Sequence, residues 1–489
     1  MPSNARLLMM LGLLSATPMM MVGCGDDDDD DKSSASDDDA DADDAANADD
    51  AANDDDAADD DDADGMAGMM EDSDTDSDKP ACDLSAATEE ETIPSPTTGD
   101  ITLTSDKVWV LDKTTYVADG ETLTIEPCTT IIGTGAEAVL VVARGGKIMA
   151  EGEADAPIVF TSGAITDRGP GLWGGVVLLG RAPNFEIDAA TIDESDATKA
   201  GLQIEGLAAS DPRNYHGGDK ADDNSGVMSY VRIEYSGIDL GNDNEINGLT
   251  FGSVGSKTTI DHVMVNTTLD DCFEWFGGTV SASYLICNNG GDDMFDADVG
   301  YQGKLEYLLG RQVDPASSNP EGFEMDSDNG DDAMPQTTVE IAHATLCGAE
   351  SSNTSHAMVL RENLRGTIDD VVATGFDYSV DTRNEFGSPE EPRVALTNAL
   401  LFGFDEGLYE DETDMPDQGE DNPNDDNGFD EQMYVEMGEG NMTSDEGPFT
   451  AADCTDADGP TADVVDSGVG AFAGDDWHLD GLWVSWETK

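Results

Sequence analysis

Residues 258–328 contain short segments in which apolar and polar positions alternate. Three of these segments begin at Ile260, Ala282 and Lys304, and each carries an apolar side chain at nearly every second position. A period of two predicts β-strands, whereas helical repeats of similar length would show a period of 3.6 residues. Glycines stand at the segment ends, as sharp corners between strands require. The stretch therefore predicts a succession of strands joined by tight corners.

A second type of segment, acidic and aromatic, alternates with the first. It occurs at residues 270–274 (DDCFE) and 292–296 (DDMFD), which begin 22 residues apart, and a looser copy stands at residues 321–324 (EGFE). A repeat of this length that has the period of a strand predicts stacked coils, with one coil for each repeat.

We therefore predict an all-β fold, a single-stranded right-handed parallel β-helix, that is, a solenoid. Equivalent residues of successive coils lie above one another at the spacing of strands in a sheet. Phe273 is then predicted to lie over Phe295 in the interior, and Glu274 over Asp296. Residues 182–223 break the pattern and are predicted to leave the stack as an excursion.

Acidic residues outnumber basic ones by 108 to 21, and the formal net charge is −87. Phosphate binding requires clustered Lys and Arg side chains, so this composition excludes nucleic acid as a partner. It also argues against adsorption of the folded domain to anionic lipid.

The N-terminus has the pattern of an exported and lipid-anchored protein. Arg6 precedes an apolar run over residues 7–21, which has about the length of a signal peptide. The run ends in the residues MVGC, which resemble the bacterial lipobox with Met in place of the usual Leu. We predict a lipoprotein signal peptide over residues 1–23 and lipidation of Cys24. Ordinary signal-peptidase cleavage, or a buried Cys24, is the alternative.

Two further regions complete the predicted organisation. Residues 24–79 are rich in Asp, Ala and Ser, have little to bury and repel one another, which predicts a disordered acidic tether. Residues 80–489 are predicted to form the β-helix domain. Its open ends need a cover, and residues 477–486, which hold three of the six Trp, are predicted to be that C-terminal cap. An aromatic sugar platform is the alternative role of these Trp.

Six cysteines remain if Cys24 carries lipid. An even number in an exported chain predicts disulfides, although the sequence alone allows 15 connectivities. Pairing by order along the chain gives Cys82–Cys128, Cys272–Cys287 and Cys347–Cys454.

Acidic residues that recur in successive coils form the best candidate site. Stacked like charges repel unless they are protonated or bridged by a cation. Ca²⁺ is the candidate cofactor because it takes many oxygen ligands in irregular geometry. Alternatively, the acids point into water or cap turns through backbone N–H groups. The predicted metal ligands are Asp270, Asp271, Glu274, Asp292, Asp293, Asp296, Asp326 and Asp328.

The same residues bear on whether the protein is an enzyme. Paired carboxylates are what glycoside hydrolysis uses, but these pairs recur with the repeat, as structural residues do. The basic side chains that a lyase for acidic sugars would use are scarce, apart from Arg361, Arg365 and Arg383. We therefore expect that the protein is not an enzyme.

Several longer motifs carry a family resemblance. SGVMSYVRIEYSG, NEINGLTFGSVG, DDCFEWFGGTV, DDMFDADVGYQGK and MVLRENLRGTIDDVVATGF resemble a family of bacterial outer-membrane lipoproteins of β-helix type, which includes a major leptospiral lipoprotein and marine-bacterial homologues. The resemblance implies a surface protein of the outer membrane, held there by lipid, and brings no catalytic residues.

The expected function is thus a binding or structural role in the cell envelope, with a glycan or envelope proteins as partners and calcium as a stabilising ion. The first alternative is an adhesin-like module that binds surface glycans or host matrix. The second is a lyase or hydrolase that acts on acidic polysaccharides.

Overall fold

A computed structural model describes residues 82–488 except 165, 194–198, 200, 241–243, 314–319, 328–333, 350–354, 384–386, 406, 410–428, 475–478 and 480. The described residues belong to one compact unit. The predicted signal peptide, Cys24, the acidic tether and Asp328 lie outside the described residues. In the part of the chain that is described, none of the helices is long and apolar enough to cross a bilayer.

Short strands make up most of the described chain. The first sixteen are β1 (Glu90–Thr92), β2 (Ile101–Leu103), β3 (Val108–Leu111), β4 (Thr115–Val117), β5 (Thr122–Ile125), β6 (Thr130–Gly133), β7 (Leu140–Val142), β8 (Lys147–Glu151), β9 (Ile158–Ser162), β10 (Val176–Leu179), β11 (Leu202–Gln203), β12 (Tyr215–His216), β13 (Gly226–Ser236), β14 (Ile238–Asp239), β15 (Glu245–Ile246) and β16 (Leu249–Val254). They are followed by β17 (Thr259–Thr268), β18 (Phe273–Gly278), β19 (Ala282–Asn288), β20 (Phe295–Asp298), β21 (Lys304–Arg311), β22 (Phe323–Met325), β23 (Thr338–Cys347), β24 (His356–Arg361), β25 (Arg365–Thr374), β26 (Tyr378–Arg383), β27 (Gly387–Ser388), β28 (Glu391–Pro392), β29 (Val394–Thr397), β30 (Leu400–Phe402) and β31 (Met442–Ser444).

Three α-helices lie near the C-terminus: α1 (Glu431–Met437), α2 (Ala451–Cys454) and α3 (Ala462–Val465). Three 3₁₀ turns span Ala189–Thr191, Pro212–Asn214 and Gly470–Phe472.

Two large parallel sheets form the faces of a β-helix. The nine-stranded sheet has the order β26-β24-β22-β20-β18-β16-β10-β7-β4, so each strand pairs with the strand of the next coil. The sixteen-stranded sheet runs from β1 to β31 in the same manner. The predicted fold class is confirmed, and so is the register: Phe273 pairs with Phe295, and Glu274 with Asp296.

The longest strands bend at their middle, which merges two faces of the coil into one sheet. β13 pairs with β8 through residues 226–229 and with β9 through residues 231–233, and between them Tyr230 has a φ of 50°. Later coils repeat the bend at His262, with a φ of 50°, and at Tyr284, with a φ of 57°. The left-handed backbone turns the chain by one corner without ending the strand.

Side chains at these bends stack outside the core. Ring centroids are 4.4 Å apart for Tyr230 and His262, 4.4 Å for His262 and Tyr284, 4.7 Å for Tyr284 and Tyr307, and 4.8 Å for Tyr307 and His343. Sequence analysis did not identify this ladder, although its members recur at the same offsets as the strands.

The interior is filled by apolar side chains from every coil. Phe273 and Phe295 are fully buried and stack with centroids 5.5 Å apart, and Phe323 follows at 5.9 Å in an edge-on orientation. Trp275 lies beside them at 6.1 Å from Phe273. The predicted interior role of the three Phe is therefore confirmed, and the opposite side chains of these strands must face outward.

Three disulfides join Cys82 to Cys128, Cys272 to Cys287 and Cys347 to Cys454. These are the pairs obtained by order along the chain. Cys272 immediately precedes β18 of the nine-stranded sheet and Cys287 lies in β19 of the other sheet, so this bond closes most of one coil.

Trp483 and Trp486 do not cover an end of the coil, contrary to prediction, and Trp477 lies outside the described residues. Trp483 is fully buried against Tyr230 and His262 on the outer side of the sixteen-stranded sheet, and its backbone N–H donates to Ala154. An outward apolar stripe that includes Met264 attracts the segment to this side. At the last coil it is α1 that joins the core, through buried Tyr434 and Val435.

Candidate functional site

Carboxylates lie on the outward side of the nine-stranded sheet because they alternate with the interior aromatics. Glu274 pairs with Asp296, and Asp296 pairs with Glu324 in the next coil, so the three occupy one row across the strands. Glu321, Asp293 and Asp271 precede these strands and form a second row at the corner of the coil. Acidic residues that recur once per coil in the sequence therefore lie next to one another in the structure, as an array of carboxylates.

The corner row is held by hydrogen bonds that pass from coil to coil. The side chain of Asn247 accepts from the backbone N–H of Asp271 at 3.2 Å, and Asp271 accepts from the N–H of Asp293 at 2.8 Å. Asp293 in turn accepts from the N–H of Glu321 at 2.9 Å. One oxygen of Asp271 and one oxygen of Asp293 therefore cap turns, as the alternative prediction had it.

Eight carboxylates, called here the acidic cluster, bring their oxygens together in overlapping groups of three. In each group one oxygen from each residue lies within 4.8 Å of the others. The groups are Asp270, Asp271 and Asp292; Asp271, Glu274 and Asp296; Asp292, Asp293 and Glu321; and Asp293, Asp296 and Glu324. Asp296 belongs to two groups, and its buried oxygen Oδ1 has no hydrogen-bond partner within the described residues.

Burial opposes ionisation throughout the cluster. It raises the pKa of Asp271, Glu274, Asp293 and Asp296 well above the ordinary range, and neighbouring carboxylates raise it further. Burial and the charge of the adjacent coil also raise the pKa of Asp270 to about 8. Near neutral pH these groups must either keep a proton or share a cation.

Two insertions bring further acids to the cluster. Glu205, from the excursion, makes a hydrogen bond with Glu274, and burial followed by the charge of Glu245 raises the pKa of Glu205 to about 7. The charge of Glu245, which lies in the second insertion, also raises the pKa of Asp270.

Basic side chains border the cluster on the side of the later coils. Arg361 lies 2.6 Å from Glu324 and 2.8 Å from Asp326, measured from its Nη2 to the carboxylate oxygens. Buried His356 lies with its ring nitrogens 3.3 Å from Glu321 and 3.7 Å from Asp381. The site therefore passes from acids alone to paired charges within three coils.

The structure gathers six of the eight predicted ligands. Asp270, Asp271, Glu274, Asp292, Asp293 and Asp296 all belong to the acidic cluster. Asp326 lies beyond it and pairs with Arg361. Sequence analysis missed Glu321 and Glu324, which stand in the looser third copy of the motif, and Glu205, for which the repeat carries no signal.

The donor set fits a hard cation. Ca²⁺ takes about six to eight oxygen ligands and accepts carboxylates with one or both oxygens. Asp271, Glu274, Asp293, Asp296 and Glu324 supply such oxygens from two adjacent groups. The unpartnered Oδ1 of Asp296 is an acceptor that a cation would satisfy.

Comparison with known proteins identifies one domain family. A family model described as a pectate-lyase-like β-helix domain matches residues 95–441. None of the curated proteins matches.

Similar solved structures include full-length tailspike protein 2 of an Escherichia coli O157:H7 bacteriophage, with 13% identity, a TM-score of 0.26, and coverage of 59% of this chain and 34% of that one. The enzymatically active domain of bacteriophage CBA120 tailspike protein 2 gives 12% identity, a TM-score of 0.26, and coverage of 60% and 38%. The chain thus spans little more than a third of the tailspike chains.

The family match contradicts the expectation that the protein is not an enzyme. That expectation treated recurrence within the repeat as a sign of structural residues. In stacked coils, however, recurrence is also what assembles carboxylates from different coils into one site, so a repeated residue can be structural and chemical at once.

Proposed function

Because the chain belongs to the pectate-lyase-like β-helix domain family, we propose that it degrades an acidic polysaccharide at the acidic cluster. The observation that carries the proposal is the convergence of eight carboxylates on the outward side of the nine-stranded sheet, with a buried unpartnered oxygen on Asp296. The description of the family as pectate-lyase-like supports a uronate polymer as the substrate class.

Charge decides how such a substrate binds. A carboxylate cluster repels a polyuronate, so the two require a bridging ion. When bound to the cluster, Ca²⁺ would neutralise the uronate carboxylates and make the adjacent C–H bond more acidic, which favours cleavage by elimination. Among the chain's own residues, Asp271 and Asp293 are positioned by the hydrogen bonds that they accept from backbone N–H groups. Arg361 keeps Glu324 oriented.

The test is cleavage of polygalacturonate with Ca²⁺ or with a chelator. Reducing ends report any cleavage, and ultraviolet absorbance of the C4–C5 double bond reports elimination. We expect activity with Ca²⁺, its loss on chelation, and a loss of at least about 100-fold in Asp296→Asn, since a metal site supplies several kcal/mol of charge stabilisation. Asp445→Asn, at an exposed position, is the matched control.

Two outcomes bear against the proposal. Wild-type protein that leaves polygalacturonate and other uronate polymers intact in Ca²⁺ would overturn it. Full activity of Asp296→Asn would place the reaction elsewhere on the protein.

We further propose that the enzyme is lipid-anchored to the outer membrane through Cys24, where it meets glycans at the cell surface. Support comes from the apolar run over residues 7–21 and from the acidic stretch that follows Cys24. Incorporation of labelled palmitate by wild type, with loss of label and release from membranes in Cys24→Ser, is the expected result. Equal membrane retention of both proteins would contradict the anchor.

A further inference from the structure

A cavity opens on the same outward side of the nine-stranded sheet as the acidic cluster, at the end of the sheet formed by β4. Its volume is about 370 Å³, and its lining includes Tyr116, Val139, Leu207, Leu240 and Ile246. Most of this wall is fixed and buried, but Leu240 is 51% exposed at the opening. The lining is thus largely apolar, unlike the acidic cluster.

One polar group in the cavity lacks a partner. Asn214 lines the cavity and is 1% exposed, and its amide Nδ2 donates to the backbone oxygen of Ala208 at 3.0 Å. Its Oδ1 has no hydrogen-bond partner among the residues that the structure describes. A buried acceptor left in this state is destabilising, so a ligand that donates a hydrogen bond would be stabilised there.

The charges of the lining select against an ionic ligand. Lys113 and Glu137, of opposite charge, both line the cavity. Their fields cancel at a distance, so the cavity lacks the one-signed potential of the acidic cluster. An apolar wall with a few polar groups suits a sugar ring, which has apolar C–H faces and hydroxyl donors.

The cavity and the acidic cluster are built by the same two insertions. Within the excursion, Glu205 makes a hydrogen bond with Glu274 of the cluster, and the next residues, Gly206 and Leu207, line the cavity. In the second insertion, which includes β15, the charge of Glu245 raises the pKa of Asp270 in the cluster, and Ile246 lines the cavity. The Gly206 N–H donates to the Asn244 side chain at 2.9 Å and ties the insertions together.

The sheet also sets the distance between the two sites. Tyr116 pairs with Val141, Val141 with Val177, Val177 with Thr250, and Thr250 with Glu274. Four strand spacings separate Tyr116 from Glu274, which is about 19 Å. An extended polysaccharide covers this span with a few sugar residues.

We propose that the cavity binds an uncharged sugar residue of the polysaccharide whose uronates meet the acidic cluster. This inference rests on the proposed function and narrows its substrate class. The preferred substrate is a heteropolymer in which neutral sugars alternate with uronates, rather than a polymer of uronate alone. The neutral sugar packs on Leu207 and Leu240 and donates a hydroxyl to Asn214.

The test compares cleavage of a rhamnogalacturonan backbone, in which neutral sugar and uronate alternate, with cleavage of polygalacturonate. Leu240→Ala and Asn214→Ala should raise KM for the alternating polymer about five- to tenfold and leave kcat and the polygalacturonate reaction unchanged. Met442→Ala, 60% exposed on the other sheet, is the matched control. Leu240 is so exposed that its substitution keeps the fold intact even if Asn214→Ala does not fold.

Affinity electrophoresis with both polymers separates this inference from the proposed function, because it needs no cleavage. Weaker retardation of Leu240→Ala by the alternating polymer alone supports the cavity, even if neither polymer is cleaved. Equal effects of Leu240→Ala on both polymers, or no effect on either, overturn the cavity as a sugar site. Failure of the proposed function would appear instead as an absence of cleavage by wild type.

Discussion

Raising the pH of the cation-free protein should destabilise the fold, because the acidic cluster keeps protons that the unfolded chain releases. Burial and then Asp292 raise the pKa of Asp270 from 3.8 to about 8, and burial and then Glu245 raise the pKa of Glu205 from 4.5 to about 7. Between pH 5 and 7 the unfolded chain has both groups ionised, while the folded chain keeps both protonated. Stability is therefore highest below the unfolded pKa values and falls until the folded values are passed.

The slope follows from the proton count. Each additional proton held by the folded state costs about 1.4 kcal/mol of stability per pH unit, so Asp270 and Glu205 alone cost about 2.7 kcal/mol per unit. Asp271, Glu274, Asp293 and Asp296, whose pKa values burial also raises well above the ordinary range, add to this slope. A folded unit of about 410 residues has an unfolding entropy of about 0.9 kcal/mol/K. The melting temperature should then fall by at least about 3 °C per pH unit between pH 5 and 7, and Glu205 ceases to contribute above pH 7.

Scanning calorimetry at pH 5, 6 and 7 in chelator measures this slope. Asp270→Asn should make the slope shallower by about 1.4 kcal/mol per pH unit, or about 1.6 °C per unit, because one titrating group is gone. Exposed Asp445→Asn should leave it unchanged. Calcium at 100 times its dissociation constant should raise the melting temperature at pH 7 by about 3 °C, from a binding contribution of about 2.7 kcal/mol. A melting temperature that is constant or rises with pH in chelator would refute the reasoning.

Three further predictions concern the scaffold and are measured by urea unfolding. Phe295→Ala removes a fully buried ring from the interior stack and should cost about 3–5 kcal/mol; a loss below 1 kcal/mol would show that the stack is not tightly packed. Cys454→Ser opens the bond to Cys347, which closes 107 residues, and should cost about 2–5 kcal/mol of stability. Reduction of the wild-type protein should cost at least as much, and a smaller loss would contradict the prediction. Trp483→Ala should cost about 3–5 kcal/mol and speed exchange of the backbone amide at position 483, which donates to the Ala154 oxygen; unchanged exchange would mean that the C-terminal segment is held by other contacts.

The interior could be predicted from the sequence because a stacked coil turns spacing along the chain into proximity in space. Phe273 and Phe295 are 22 residues apart and one strand apart, and the two acids that follow them obey the same rule. Pairing by order along the chain gave the three disulfides independently of the repeat, since Cys347–Cys454 joins a coil to helix α2.

Contacts that leave the repeat could not be predicted in this way. Arg232 donates to the backbone oxygen of Leu482, 250 residues later, because the C-terminal segment returns along the outer side of the sheet. Glu205 reaches Glu274 from an excursion whose direction is set by packing of Ile204 and Leu207 on the sheet. Neither the return nor the excursion has a period that the sequence could reveal.

By itself the sequence determined the strand period, the coil length, the interior side chains and six of the acids at the site, since all of these depend on local alternation and a constant repeat. Only the tertiary structure decided which insertions cover the acids, which cavity lies beside them and where the C-terminal Trp residues pack. Those choices depend on burying apolar surface that separate parts of the chain present to one another, and such surface exists only after the coils have stacked.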